Sequence, residues 1–275
     1  MNDAAVISAT DSYRRELWLS PDQAKAIPSS EYWNDAEVER GKEWDVADGN
    51  FVRMEQALDE KGLLRQLKSL QQLLDRPLAG RGISLASGTC WLEADLLRRN
   101  PAIESIACIE LSRHRIFELA SIVLRHYGVN ASRVSLCWGS FYELKIPNNS
   151  LDFAILCQAF HHAYEPMRLL AEIRRVLKPS GQIVILGEHY FGMRKRARQV
   201  LSHFAKLVLN WRGYRAKAPF LPRYKDLFPV DSVKGDHHYT RAEYEDMFTE
   251  AKLDFRHRVD RSDGLQGFVL KRQDA

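Results

Sequence analysis

Several things are scarce in these 275 residues, and each scarcity excludes a class of protein. No window approaches the roughly 18 to 20 unbroken apolar residues that a membrane-spanning helix needs. Met1 to Thr10 lack a basic stretch followed by an apolar one, the mark of a secretory leader, so a cytoplasmic protein is expected. Cysteine is confined to Cys90, Cys108, Cys137 and Cys157 with no CxxC spacing, so neither a disulfide framework nor a metal site is expected. These positions fall in or beside strand candidates, where a free thiol acts as a small buried hydrophobe. A formal charge of +4 is modest for this length and does not by itself imply nucleic acid. Acid is missing from one stretch altogether: between Tyr190 and Tyr224 there is no Asp or Glu.

What is present, 45% hydrophobic and 28% charged residues, suits one large core. Up to about residue 80, Trp18, Trp33 and Trp44 are mixed with charges. Phe51, Met54, Leu58, Leu63, Leu64, Leu67, Leu70 and Leu74 then follow at helical spacing. Residues 1–80 read as a helical cap over a later site, or as helices that only pack on a sheet. From Gly82 short β-rich runs alternate with longer helical ones, the pattern of βαβ units and a parallel sheet. Ile83–Leu85, Ser105–Ile109, Val134–Cys137, Phe153–Cys157 and Gln182–Leu186 are the strand candidates, with helices over Trp91–Arg99, Arg113–Tyr127 and Glu165–Leu177. The Pro179-Ser180-Gly181 turn is expected to end the last helix. A helix over Arg241–Ala251 and strands over Asp254–Val259 and Gly267–Lys271 close the chain. The expected fold is α/β: a Rossmann-like, seven-stranded, mostly parallel sheet with helices on both faces. It divides into the N-terminal cap, a core over 81–190, a basic helical insertion over 191–239, and a final helix and strand pair over 240–275.

In an open parallel sheet, ligands bind outside the carboxyl ends of the strands. Leu85-Ala86-Ser87-Gly88-Thr89-Cys90 follows the first strand and opens a helix, where small residues let backbone amides approach a ligand. Glu110 ends the second strand, 22 positions after Gly88, where a carboxylate can accept hydrogen bonds from both hydroxyls of a ribose. A dinucleotide would need three glycines to admit its pyrophosphate, and the loop has only Gly88.

With Asn149-Ser150-Leu151-Asp152-Phe153, the doublet His161-His162, and Arg174-Arg175-Val176-Leu177-Lys178-Pro179-Ser180-Gly181, the sequence resembles class I S-adenosylmethionine (SAM)-dependent methyltransferases over about residues 80 to 190. The resemblance implies SAM as cofactor, with Ala86, Gly88 and Cys90 along its methionine part, Glu110 at the ribose, and Ser140 with Phe141 at the adenine. Leu85, Ser87, Leu111 and Gln158 complete the implied cofactor set. The family usually has glycine where this chain has Ala86 and Cys90, and an acid where it has Ser140. Ala and Cys are tolerated there if the local φ is negative. These departures keep open a second reading, a methyltransferase-like binding protein or partner subunit with lost or altered cofactor use.

His161 and His162 follow the fourth strand and so share the sheet edge with the cofactor loop. A neutral imidazole there can take the proton from an acceptor hydroxyl as its oxygen is methylated. Glu188, ending the fifth strand, can orient that imidazole and stabilise its charged form. The arrangement is similar to small-molecule and sugar O-methyltransferases. The expected reaction is therefore O-methylation of a sugar, polysaccharide precursor or small metabolite. His161 is preferred as base, and packing or helix capping is the competing role for the doublet. His189, Tyr190, His237, His238 and Tyr239 are candidates for the acceptor pocket.

In the acid-free insertion, Arg194, Lys195, Arg196, Arg198, Lys206, Arg212, Arg215, Lys217 and Arg223 set up a field that attracts anions. Val200, Leu201, Phe204, Leu207, Val208 and Trp211 form a helical apolar stripe. Three readings are open for this helix: its apolar face packs on the sheet, it is a lid holding an anionic or glycan-linked acceptor, or residues 194–217 make a peripheral membrane contact. Nucleic-acid binding is not expected.

Overall fold

A computed structural model describes residues 13–28, 46, 49–231, 233–260 and 264–273; Met1 to Thr10, Trp33 and Trp44 lie outside them. The strands are β1 (Arg14–Leu17), β2 (Gly80–Leu85), β3 (Ile103–Glu110), β4 (Val134–Trp138), β5 (Leu151–Cys157), β6 (Leu177–His189), β7 (Leu253–Asp260) and β8 (Leu265–Arg272). They form one sheet in the order β1-β4-β3-β2-β5-β6-β8-β7. Pairing is parallel from β1 to β6, and antiparallel where β8 meets β6 and β7. The central strands are mostly buried, as helices on both faces require.

The expected α/β sheet is present with eight strands among the described residues, not seven. The additional one, Arg14-Arg15-Glu16-Leu17, falls in what reads from sequence as a helical cap. Charges at three of its positions hide any alternation, because an edge strand takes its hydrogen bonds from a neighbour and need not bury its side chains. Its place is fixed by what flanks it: Tyr13 and Trp18 are buried, and the Trp18 N–H donates to Trp138 O at 2.9 Å.

Of the N-terminal helices, Leu63–Gln71 lays Leu63, Leu67 and Leu70 on the sheet beside β6 and β8, and Gln66 Oε1 accepts from the Gly187 N–H at 2.6 Å. That helix packs on the sheet. Among the described residues of this segment, Ile27, Pro28 and Lys61 border the cavity described below.

The Arg174–Gly181 string owes its pattern to anchoring. Arg175 donates to Leu144 O, Ile146 O and Asn148 Oδ1 and pairs with Glu172, while Lys178 Nζ reaches Asp152 Oδ1 at 2.8 Å. The Pro179-Ser180-Gly181 turn does not end the helix as expected. The helix Pro166–Val176 stops earlier, because Leu177 is already extended and pairs with Leu151, so the triplet lies inside β6.

Candidate functional site

Strand order reverses direction between β2 and β5, and a cavity of about 410 Å³ opens there, beyond the carboxyl ends of β2, β3 and β5. The loop after β2 is its floor. Ser87 N–H donates to Ile109 O at 3.0 Å and Cys90 N–H to Ser87 O at 3.0 Å, a path so tight that three alternate residues are left-handed. Gly88 has φ +54°, and Ala86 at +53° and Cys90 at +59° are positive as well, so the negative φ under which those two residues would be tolerated freely is not met. The latter two hold a conformation that costs an L-residue about 1–2 kcal/mol. A Cβ added at Gly88 would meet no protein atom within 4 Å, so the loop presents bare backbone to the open space.

Glu110, ending β3, is buried and ties this loop down. Its Oε2 accepts from the Gly88 N–H at 2.8 Å, and Oε1 accepts from the N–H groups of Leu111 at 2.8 Å and Ser112 at 3.0 Å. Two lone pairs per oxygen leave one acceptor position, on Oε2. One ribose hydroxyl can therefore be received there, not two. Ala86, Ser87, Leu111, Ser140, Phe141 and Gln158 also border the cavity, whereas Leu85 and Cys90 are packed beneath the loop and do not.

Sequence reasoning misses Glu93. It sits on the helix Trp91–Arg99, fully buried yet bordering the cavity, and one carboxylate oxygen accepts from Ser84 Oγ while Oε2 has no hydrogen-bond partner among the described residues. Burial pushes its pKa up to about 7. An unsatisfied buried acceptor is costly, and a ligand, a water or the carboxyl's own proton can relieve it. A Glu at a buried position of an amphipathic helix is the signal that could have found it.

At the other end of the cavity stands His161. Glu188 is completely buried and is held by the N–H groups of Ala159, Phe160 and His161 at 3.1–3.3 Å and by the Tyr244 hydroxyl at 2.7 Å. The Oε2 of this carboxylate lies 3.0 Å from His161 Nδ1. Burial of the ring disfavours its charge, but the adjacent Glu188 carboxylate outweighs this and raises the His161 pKa above its ordinary value. The same carboxyl is pulled below its usual range although burial opposes ionisation. Nδ1 is thus committed to Glu188, leaving Nε2 for chemistry.

His162 also borders the cavity, with Nδ1 3.0 Å from Asp236 Oδ1. Nothing in the sequence singles out Asp236: it belongs to a polar loop with no motif, and only the fold brings it here. It is held to about pH 2 despite burial because His162 stabilises the anion. Residues 236–239 strap this corner, with the His237 N–H on His161 O at 2.8 Å and the Tyr239 hydroxyl on Ala163 O at 3.3 Å. His189 lies beside His161, ring centroids 4.7 Å apart, and burial pushes its pKa down to about 4. His189, Tyr190, His237, His238 and Tyr239 do not line the cavity. Ligating atoms of His161, His162 and Asp236 fall within 4.8 Å of one another, a spacing that a divalent cation would also accept, although none is expected from the sequence.

Comparison with known proteins agrees with this layout. Residues 83–185 match the family model described as a methyltransferase domain. The ubiquinone/menaquinone biosynthesis C-methyltransferase UbiE of Citrifermentans bemidjiense is 31% identical over 111 residues, 39% of this chain. The chain spans about half the length of that curated relative, 45%. A SAM-dependent methyltransferase from Leishmania major superposes with TM-score 0.58 at 13% identity, over 92% of this chain and 85% of the other. The mitomycin 7-O-methyltransferase MmcR superposes with TM-score 0.55 at 17% identity, over 92% of this chain and 62% of its own. These structures share the fold.

The residues present fit SAM: a loop that offers backbone instead of Cβ at Gly88, one open acceptor position on Glu110, and an unsatisfied carboxylate oxygen on Glu93. The sheet order agrees with the match of residues 83–185 to a methyltransferase domain.

Proposed function

We propose that this chain methylates a hydroxyl of a sugar, a polysaccharide precursor or a comparable small metabolite, using His161 as general base. The observation that carries the reading is the buried Glu188–His161 pair at the rim of the cavity that holds the cofactor loop.

SAM, when bound, supplies an electrophilic methyl group. Gly88 and its neighbours would give the cofactor a backbone surface, Glu110 Oε2 would accept from a ribose hydroxyl, and Glu93 Oε2 would accept from the ammonium of the methionine part. At the acceptor end, His161 Nε2 takes up the proton that the hydroxyl releases as its oxygen forms the new bond to carbon. Glu188 keeps Nδ1 protonated, so that Nε2 carries the lone pair, and stabilises the imidazolium that results. Tyr244 and three backbone N–H groups hold that carboxylate ionised where burial alone would protonate it. Most of the rate comes from aligning oxygen and methyl, with the base adding about 10²–10⁴-fold.

His161→Ala should lower turnover by about 10²-fold or more while leaving affinity for S-adenosylhomocysteine within about twofold. Unaltered turnover would remove His161 from the reaction. The O-methyltransferase fold neighbour supports oxygen as the target, whereas the UbiE relative is a C-methyltransferase. Carbon methylation in a product analysis would leave the cofactor site standing and displace the hydroxyl reading.

A further inference from the structure

The helix Met193–Val208 presents two unlike faces. One turns inward with His203 and Leu207 buried and Arg196 and Val200 half-buried. The other runs through Met193, Ala197, Leu201, Ala205 and Val208, nearly one residue per turn, and is exposed: Met193 by 82% and Leu201 by 70%. Packing of the whole apolar stripe on the sheet, the simplest expectation from sequence, is therefore not what the structure shows: Leu207 goes in and Leu201 stays out. The Trp211 side chain lies outside the described ones. The exposed apolar surface extends through Phe220, 75% exposed, whose ring stands 6.0 Å from that of Phe204 on the helix, and through its neighbour Leu221. Arg194 and Arg198 line one side of the stripe and Lys206 lies beyond it, all exposed.

An apolar surface of this kind on a folded protein marks an interaction site. We propose that this face docks the protein on an anionic lipid bilayer, with Met193, Leu201 and Phe220 entering the boundary between headgroups and acyl chains and the basic side chains meeting lipid phosphates. The combination of large apolar side chains with cations of one sign is what such a surface rewards. A second copy of the same face is a poor occupant, because no Asp or Glu occurs between residues 190 and 224 and like charges would meet. Nucleic acid would use the cations but gain nothing from Met193 and Leu201. No described helix is long and apolar enough to cross a membrane, so the contact is with the surface of the bilayer.

Co-sedimentation of the full chain with vesicles tests this. Vesicles of mixed phosphatidylglycerol and phosphatidylcholine should pellet most of the protein at about 0.1 M salt, and pure phosphatidylcholine little of it; raising salt to about 0.5 M should cut binding several-fold. The double variant Leu201→Glu with Phe220→Glu should weaken binding to the anionic vesicles by about tenfold, with an unchanged melting temperature because both positions are on the surface. If that variant is unstable, Met193→Glu makes the same test at the most exposed position of the stripe. Absence of pelleting with anionic vesicles would overturn the proposal, as would full binding by a folded variant. A wild-type dimer that the variant dissociates would assign the face to a second copy instead.

Discussion

His161 Nδ1 lies 3.0 Å from Oε2 of the buried Glu188, and Tyr244 donates to the same oxygen from 2.7 Å. The pair ties the pH behaviour of the reaction to one carboxylate. With the His161 pKa raised above its ordinary 6.5, the ring is protonated and unable to accept a proton at lower pH. The initial rate at limiting substrate should therefore climb with pH through an inflection above 6.5 and then level. The stabilising ion pair has the opposite dependence: its contribution is complete below 6.5 and is lost as pH rises through the folded-state pKa. Tyr244→Phe keeps the packing against Phe160, Phe248 and Phe268 but removes a donor from Glu188. The carboxylate then holds the ring's proton more strongly, so the inflection should move up by about half a unit to one unit. A profile unmoved by that change would detach Glu188 from the chemistry.

Two single-carbon changes in the cofactor loop should act in opposite senses. Gly88→Ala puts a methyl group where no protein atom lies within 4 Å, at a φ of +54°, so stability should fall by only about 1–2 kcal/mol while cofactor affinity falls at least about tenfold. Ala86→Gly relieves a left-handed alanine and should raise stability by roughly 0.5–1 kcal/mol after the added flexibility of the unfolded chain is counted. Calorimetric titration and thermal unfolding on both variants separate the two effects.

Burial pushes the Glu93 pKa up to about 7, against 4.5 for an ordinary Glu. A raised carboxylate pKa means that stability declines as pH rises from about 4.5 and levels above about 7, so Glu93→Gln should flatten that decline, by up to about 3 kcal/mol. At pH about 8 the same change should weaken binding of S-adenosylhomocysteine by about tenfold and leave 5′-methylthioadenosine, which lacks the ammonium, nearly unaffected. Equal weakening of both ligands would show Glu93 to be part of the scaffold only.

A histidine base needs no metal. Dialysis against a chelator should leave turnover unchanged; loss of activity restored by a divalent cation would reassign His161, His162 and Asp236 as ligands.

Much of the cofactor end is legible in the amino-acid sequence. Strand–loop–helix punctuation places Ala86, Gly88 and Glu110 together, because β2 and β3 are parallel neighbours and their carboxyl ends must meet. Local conformation is not legible: Ala86 and Cys90 are left-handed because the loop's hydrogen bonds to Ile109 and within itself force it, against the preference of both residues. The acceptor end is half legible. His161 follows β5 and Glu188 lies near the end of the adjacent β6, so the two can be paired from sequence, but Asp236 reaches His162 from an irregular segment whose position only packing decides. Strand β1 escapes because an edge strand with charged side chains carries no period-two signal.

The most direct test is calorimetric titration of the wild-type chain with S-adenosylhomocysteine, beside Gly88→Ala. Saturable binding at one site per chain, weakened at least about tenfold by Gly88→Ala, is the predicted result. No heat and no thermal shift at about millimolar ligand would contradict cofactor binding at this loop and leave the chain a methyltransferase-like fold used for something else.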